Sequence, residues 1–140
     1  MKVLLAVDGS VYTKRMLSYL AAHDELLQPV TQYTALTVVD ELPAYPRAYI
    51  ASSVLEAYYK DEADKVLEPV AAYAKQKGWP LETLRKAGRA GDVIAETAQA
   101  GRYDLVVMGS RGHSGLGNLV LGSTTTRVLA NCTVPVLVIR

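Results

Sequence analysis

The feature that most restricts how this chain folds is a set of short apolar runs that do not alternate with polar residues. The first covers residues 2–7 and is closed by Asp8-Gly9-Ser10. Residues 31–39, rich in Thr, Val, Leu and Tyr, end in Asp40 and Glu41. Residues 104–108 carry Leu-Val-Val-Met, and residues 134–139 are again apolar. Runs without alternation suit strands buried on both faces, as in a parallel sheet. Residues 81–86 form a fifth, weaker strand segment.

Helical spacing separates these runs. Met16, Leu17, Leu20 and Ala21 recur with a helical period behind Ser10, a good N-cap. Residues 52–77 repeat it, with Pro69 inside, which predicts a kinked or divided helix, and Gly78 fits its C-terminus. Asp92 is placed to cap a helix through Val93, Ile94, Thr97 and Ala98. Residues 123–131 carry a last helical stretch. Residues 41–49, with Pro43 and Pro46, read as a loop. Alternating strands and helices predict an α/β fold: one open five-stranded parallel sheet with helices on both faces. Ligands of such sheets bind beyond the carboxyl ends of the strands, which directs attention to Asp8, to residues 38–40 and to Gly109 onward.

Composition narrows the partners. With 140 residues, half of them apolar, the chain is one domain's worth with a sizeable core. A net charge of +1 gives none of the concentrated positive field of a nucleic-acid or membrane-surface binder. Cys132, the one cysteine, can make neither an internal disulfide nor a cysteine-rich zinc site and reads as a buried inert thiol. No stretch approaches the ~20 apolar residues that span a bilayer, and residues 1–8 lack a signal-peptide pattern. Cytoplasm is therefore the default location.

The chemistry concentrates after residue 108. Glycines at 109, 112, 115, 117 and 122 allow positive φ and close approach of an anion to peptide N–H groups. A helix starts at about Ser123, so its free amides and positive end face the same space. Ser110, Ser114, Ser123, Thr124 and Thr125 add hydroxyls, Arg111 a guanidinium and His113 a further donor. This is a recipe for holding phosphates. The P-loop pattern fails, because no Lys lies between 87 and 140, and so does G-x-G-x-x-G, because position 120 is Val.

The spacing that fits is Gly109-x2-Gly112-x9-Gly122-Ser123. It resembles the nucleotide motif G-x2-G-x9-G-[ST] of universal stress proteins. The resemblance runs the length of the chain: Val-Asp-Gly-Ser at 7–10, Val-Val-Asp at 38–40, Gly-Arg-Ala-Gly-Asp at 88–92, Asp-Leu-Val-Val-Met-Gly-Ser-Arg-Gly at 104–112 and the ending Val-Pro-Val-Leu-Val-Ile. It implies a Rossmann-like sheet of strand order 3-2-1-4-5 and membership of the ATP-binding branch. By position it places adenine against Ala6, Val7 and Val38, and the ribose on Asp8. It lays the phosphates on Gly109, Ser110, Arg111, Gly112, His113, Ser114 and Gly115, and on Gly122, Ser123, Thr124 and Thr125, with Met108 ending the strand before them. Whether Mg2+ or Mn2+ accompanies the phosphates stays open.

Plainer readings stand beside these. Asp8 can instead cap the helix near Ser10; Asp40 and Glu41 read as solvated loop acids; His23 reads as a structural residue in mid-helix. Tyr45 and Tyr49 lie in a loop from which they could cover an adenine. The last segment, Val134 to Ile139, is apolar with Pro135 near its start, which suits an edge strand and predicts a homodimer through it, as the resemblance also implies. The leading function is a nucleotide-binding regulatory or stress-response module. The alternatives are a slow ATPase or autokinase using Arg111 or His113 as electrophile, and a nucleotide-free dimeric scaffold. A phosphoacceptor receiver domain is disfavoured: the third strand lacks the terminal acid and no Lys precedes the last strand.

Overall fold

The apolar runs become the strands of one sheet. In a computed structural model, which describes residues 1–140 apart from Thr31, Gly115 and Leu116, β1 (Lys2–Ala6), β2 (Gln32–Val39), β3 (Leu81–Ala87), β4 (Leu105–Gly109) and β5 (Val136–Ile139) pair in the order β3-β2-β1-β4-β5. Every pairing is parallel. The expected fold and strand order are both present. The expected start of the second strand, Thr31, lies outside the described residues.

The absence of alternation in the sequence has a direct cause. Successive residues of β1 point to opposite faces, and both faces are covered. Val3, Leu5 and Val7 pack with Met16, Leu17 and Leu20 of α1 (Val11–Ala22) and with Ala63, Leu67 and Val70 of α3 (Ser52–Lys77). Leu4, Val106 and Met108 pack on the other face with Ile94 and Ala98 of α4 (Ala90–Ala100) and Val128 of α5 (Ser123–Asn131). Leu4 and Val106 are fully buried. Truncating a leucine in such a position costs about 2–5 kcal/mol, part of it for the cavity left behind.

Several elements depart from the sequence reading. Pro69 does not divide α3, which runs unbroken for 26 residues. One proline removes a single N–H, while Leu67, Val70 and Ala74 on either side of it are buried as α3 packs on β2 and β3, and that packing outweighs the lost bond. The segment 41–49 is not all loop: α2 (Ala44–Arg47) makes one helical turn there. The N-cap of α4 is Arg89, not Asp92, whose carboxylate is taken by Arg127 instead. His23 stands at the C-terminal end of α1, stacked on Tyr19 at 4.3 Å, rather than in mid-helix. Cys132 is half-buried rather than buried. β3 reads weakly because it is an edge strand with a partly solvated face; its ladder to β2 supplies what its side chains do not. No helix among the described residues is long and apolar enough to cross a membrane.

Candidate functional site

The sheet creates a crevice before any special residue is considered. Ala6, the last residue of β1, is flanked by Leu36 of β2 and Met108 of β4. The chain leaves β1 toward β2 on one side, and β4 lies on the other, so the connections diverge and leave a gap above the strand ends. A cleft of about 260 Å3 occupies it. Its floor is apolar, built from Ala6, Val7, Leu36, Val38, Ile94 and Met108. Its mouth is polar: Asp8 and Thr13 on one side, Gly109, Arg111, Gly112, His113 and Ser114 on another, and Gly122, Ser123, Thr124 and Thr125 on the third.

Asp8 has a local role, and one of its oxygens has no hydrogen bond among the described residues. Its Oδ1 accepts from the backbone N–H of Ser10 at 2.9 Å and from the Thr13 hydroxyl at 3.0 Å. The helix cap itself is Ser10, whose Oγ accepts from Tyr12 N. The turn therefore holds Asp8 in place through Oδ1, while Oδ2 lies close to Gly112 and the residue lines the cleft. His113 reaches across the same edge: its Nε2 lies 2.6 Å from the Asp8 carbonyl. A carbonyl only accepts, so Nε2 carries the hydrogen and donates.

Gly109, Gly112 and Gly122 are required for space and not for backbone sign. Among the described residues the glycines with positive φ are Gly9, Gly78 and Gly88, none of them in the loop. For Gly109, Gly112, Gly117 and Gly122 this corrects the expectation that the loop glycines serve by taking positive φ. A Cβ on Gly109 would lie 2.7 Å from Tyr12 Cβ, and one on Gly112 would lie 2.5 Å from Asp8 Oδ2. At Gly122 the nearest atom would be Arg111 Cα at 3.3 Å. These glycines let strand end, loop and helix start approach one another.

The loop is tied at its root. Gly122 N donates to the Ser110 carbonyl at 2.7 Å, and Ser110 N donates to the Ile139 carbonyl at 2.8 Å. Ser110 is thereby buried at 2% exposure and does not line the cleft, unlike the other described residues expected to contact the ligand. Gly115, also expected there, lies outside the described residues. Two of the α5 hydroxyls are used inward. Thr125 Oγ1 donates to the Gly109 carbonyl and Thr126 Oγ1 to the Gly122 carbonyl, each at 2.9 Å. The N-cap, Gly122, has no side chain, and no side chain caps the helix. The first turn of α5 thus meets the cleft with uncapped amides and the positive end of its dipole.

Charge around the cleft is sparse. The Arg111 guanidinium lies 5.0 Å from the centre of the Tyr12 ring, its Nη1 is a long 3.5 Å from the Gly117 carbonyl, and its buried Nε has no hydrogen-bond partner among the described residues. Below the mouth, Arg127 of α5 holds Asp92 of α4 through Nε at 2.5 Å and Nη2 at 3.2 Å. That hydrogen bonding to a cation keeps the Asp92 carboxyl below its ordinary range. The pair joins the two helices whose first turns wall the cleft, and it fits because a Cβ on Gly91 would strike Arg127 Cβ at 2.8 Å. Tyr45 and Tyr49 are more than three-quarters exposed, pack on each other and do not line the cleft. Asp40 and Glu41 do not line it either, and Glu41 pairs with Arg47. Sequence reasoning missed Thr13, Leu36, Ala90 and Ile94. Leu36 was within reach, because parallel register with Ala6 follows once β1 and β2 are paired. Among the described residues no three metal-ligating side chains converge.

Known proteins share this architecture. The chain is 32% identical over 139 residues to universal stress protein Slr1230 of Synechocystis, with 99% of this chain and 42% of that protein covered. It is 30% identical to universal stress protein YxiE of Bacillus subtilis, covering 99% of this chain and 98% of the relative. The solved structure of hypothetical protein MJ0577, from Methanocaldococcus jannaschii, superposes with a TM-score of 0.81 at 24% identity, over 99% of this chain and 94% of the other. Solved family members with AMP, cAMP and dAMP bound superpose with TM-scores of 0.70, 0.68 and 0.67 at 20%, 21% and 18% identity, over at least 99% of this chain and 90% of theirs. The family model described as the universal stress protein family matches residues 1–140, and the chain belongs to that family.

Proposed function

We propose that this protein binds an adenine nucleotide in the cleft above β1 and β4 and acts as a nucleotide-dependent regulatory protein of the stress response. One observation carries the reading. The first turn of α5 opens uncapped onto a cleft whose other walls are the Asp8 carboxylate and an apolar floor. Anion-seeking amides, a hydroxyl-accepting acid and a flat apolar base match the three parts of a nucleotide. Adenine rests on Ala6, Val7 and Val38, the ribose hydroxyls donate to Asp8 Oδ2, and the phosphates take the amides around Gly112 and at 122–125. The spacing Gly109-x2-Gly112-x9-Gly122-Ser123, which resembles the ATP-binding motif of the family, supports ATP as the ligand. The family members solved with AMP, cAMP and dAMP support the adenine part of the assignment. With no converging metal ligands among the described residues, Mg2+ or Mn2+ would arrive on the phosphates.

The test is calorimetry of the purified protein with millimolar ATP, ADP, AMP and adenosine, with and without Mg2+, alongside thermal unfolding. Heat and a raised Tm for ATP are expected. Silence from every nucleotide in both measurements ends the proposal.

A homodimer through Val134 to Ile139 belongs to the same reading. β5 lies at the edge of the sheet, paired to β4 on one side, and its Val136 and Leu137 are half-buried. An apolar edge offers a second copy a ready strand. Light scattering coupled to gel filtration should give twice the monomer mass at micromolar protein. A monomer there removes the dimer without touching the nucleotide site.

A further inference from the structure

We propose that Tyr12 is the positioning residue for Arg111, and through it sets how strongly the protein distinguishes phosphorylated nucleotide from bare nucleoside. The proposal rests on the nucleotide reading above and adds a residue that does not itself line the cleft. Arg111 is the one cationic side chain among the described lining residues, apart from the His113 ring. Its hydrogen bonds do not fix it: Nη1 has only the long approach to Gly117, and Nε is buried without a partner among the described residues. A buried donor left over in a native fold calls for an explanation, and a bound anion beside it supplies one.

What does hold the guanidinium is the Tyr12 ring, 5.0 Å from its carbon, a separation at which the ring's negative face attracts a cation. Tyr12 is held in turn from below. It occupies the first turn of α1, its N–H is bound by Ser10 Oγ, and its Cβ lies where any side chain at position 109 would have to go. Gly109 therefore serves Tyr12: the missing Cβ lets the tyrosine lie against the end of β4, and the ring then supports Arg111 at the mouth. Arg15, one turn along α1, also lies 5.1 Å from the same ring.

A double-mutant cycle on the full chain decides it, reading Kd for ATP and for adenosine by calorimetry in wild type, Tyr12→Leu, Tyr12→Phe, Arg111→Ala and Tyr12→Leu/Arg111→Ala. Tyr12→Leu should weaken ATP roughly 3- to 30-fold, the span of a lost cation–π contact, and leave adenosine within about twofold. Tyr12→Phe, which keeps the ring, should restore ATP binding. In the Arg111→Ala background, Tyr12→Leu should change nothing further. An unchanged ATP-to-adenosine ratio in Tyr12→Leu overturns the proposal, as does an equal loss in Tyr12→Phe or additivity in the cycle. If wild-type protein binds neither ATP nor adenosine, the nucleotide reading has failed instead. If wild type binds both equally, phosphate recognition by Arg111 has failed, and Tyr12 with it.

Discussion

Two helices begin at the same edge of this sheet with similar local sequence and opposite outcomes. α1 follows β1 through Asp8-Gly9-Ser10, and α5 follows β4 through the loop that ends Gly122-Ser123. At α1 the turn is closed on itself. Ser10 caps Tyr12, and Asp8 and Thr13 bond each other. At α5 the cap is a glycine, and the hydroxyls of Thr125 and Thr126 turn back to the carbonyls of Gly109 and Gly122. The first helix spends its polarity on its own stability; the second leaves its amides for something else. A helix start becomes a binding surface when its neighbours satisfy the carbonyls around it and not its N–H groups.

The contrast can be attacked from either side. The largest effect is expected from giving α5 the cap that it lacks. Gly122→Asp places a carboxylate on the amides proposed to hold the phosphates, and ATP affinity should fall about tenfold or more, some 1.4 kcal/mol at least, by calorimetry. Unchanged affinity would mean that the α5 amides are not the phosphate site. Next comes the removal of the α1 cap. Ser10→Ala should lower unfolding free energy by about 1 kcal/mol in urea titration, while Kd for ATP stays within about twofold. A binding loss as large as that of Gly122→Asp would erase the distinction between the two starts.

The smallest effect concerns the ion pair that holds α5 against α4. The Asp92 carboxyl is lowered from 3.8 chiefly by its hydrogen bond to Arg127, so its contribution is present above about pH 4 and fades as pH falls through the folded value. The urea midpoints of wild type and Asp92→Asn, followed from about pH 6 to pH 2, should therefore differ at the upper end and converge in acid. A constant gap across that range would show that the pair does not act through its charge. Both groups are well exposed to solvent, which keeps the gap small.

Much of this was legible without coordinates, and the parts that were not share a pattern. Strands β1 and β4 announced themselves because burial on both faces leaves no room for polar alternation. β3 was faint because an edge strand keeps a wet face. The loop glycines stood out on spacing, and Gly109, Gly112 and Gly122 make room for Tyr12, Asp8 and Arg111, neighbours distant in sequence or across the loop. Ser110 looked like one more phosphate donor in a list of hydroxyls. Its burial follows from the knot that joins Gly122, Ser110 and Ile139, which no local rule foretells.

The amino-acid order by itself determined the alternation of strand and helix, the parallel sheet and the place of the glycine-rich loop, because those depend on period, on capping and on where side chains are absent. Tertiary structure alone decided which hydroxyls are committed, that Asp92 serves Arg127 rather than a cap, that Pro69 is tolerated, and that Tyr12 stands under Arg111. Each of these is a choice between partners far apart along the chain. A hydrogen bond or a ring contact is won by whichever group packing brings within a few ångströms, and that is a property of the assembled sheet and not of any segment in it.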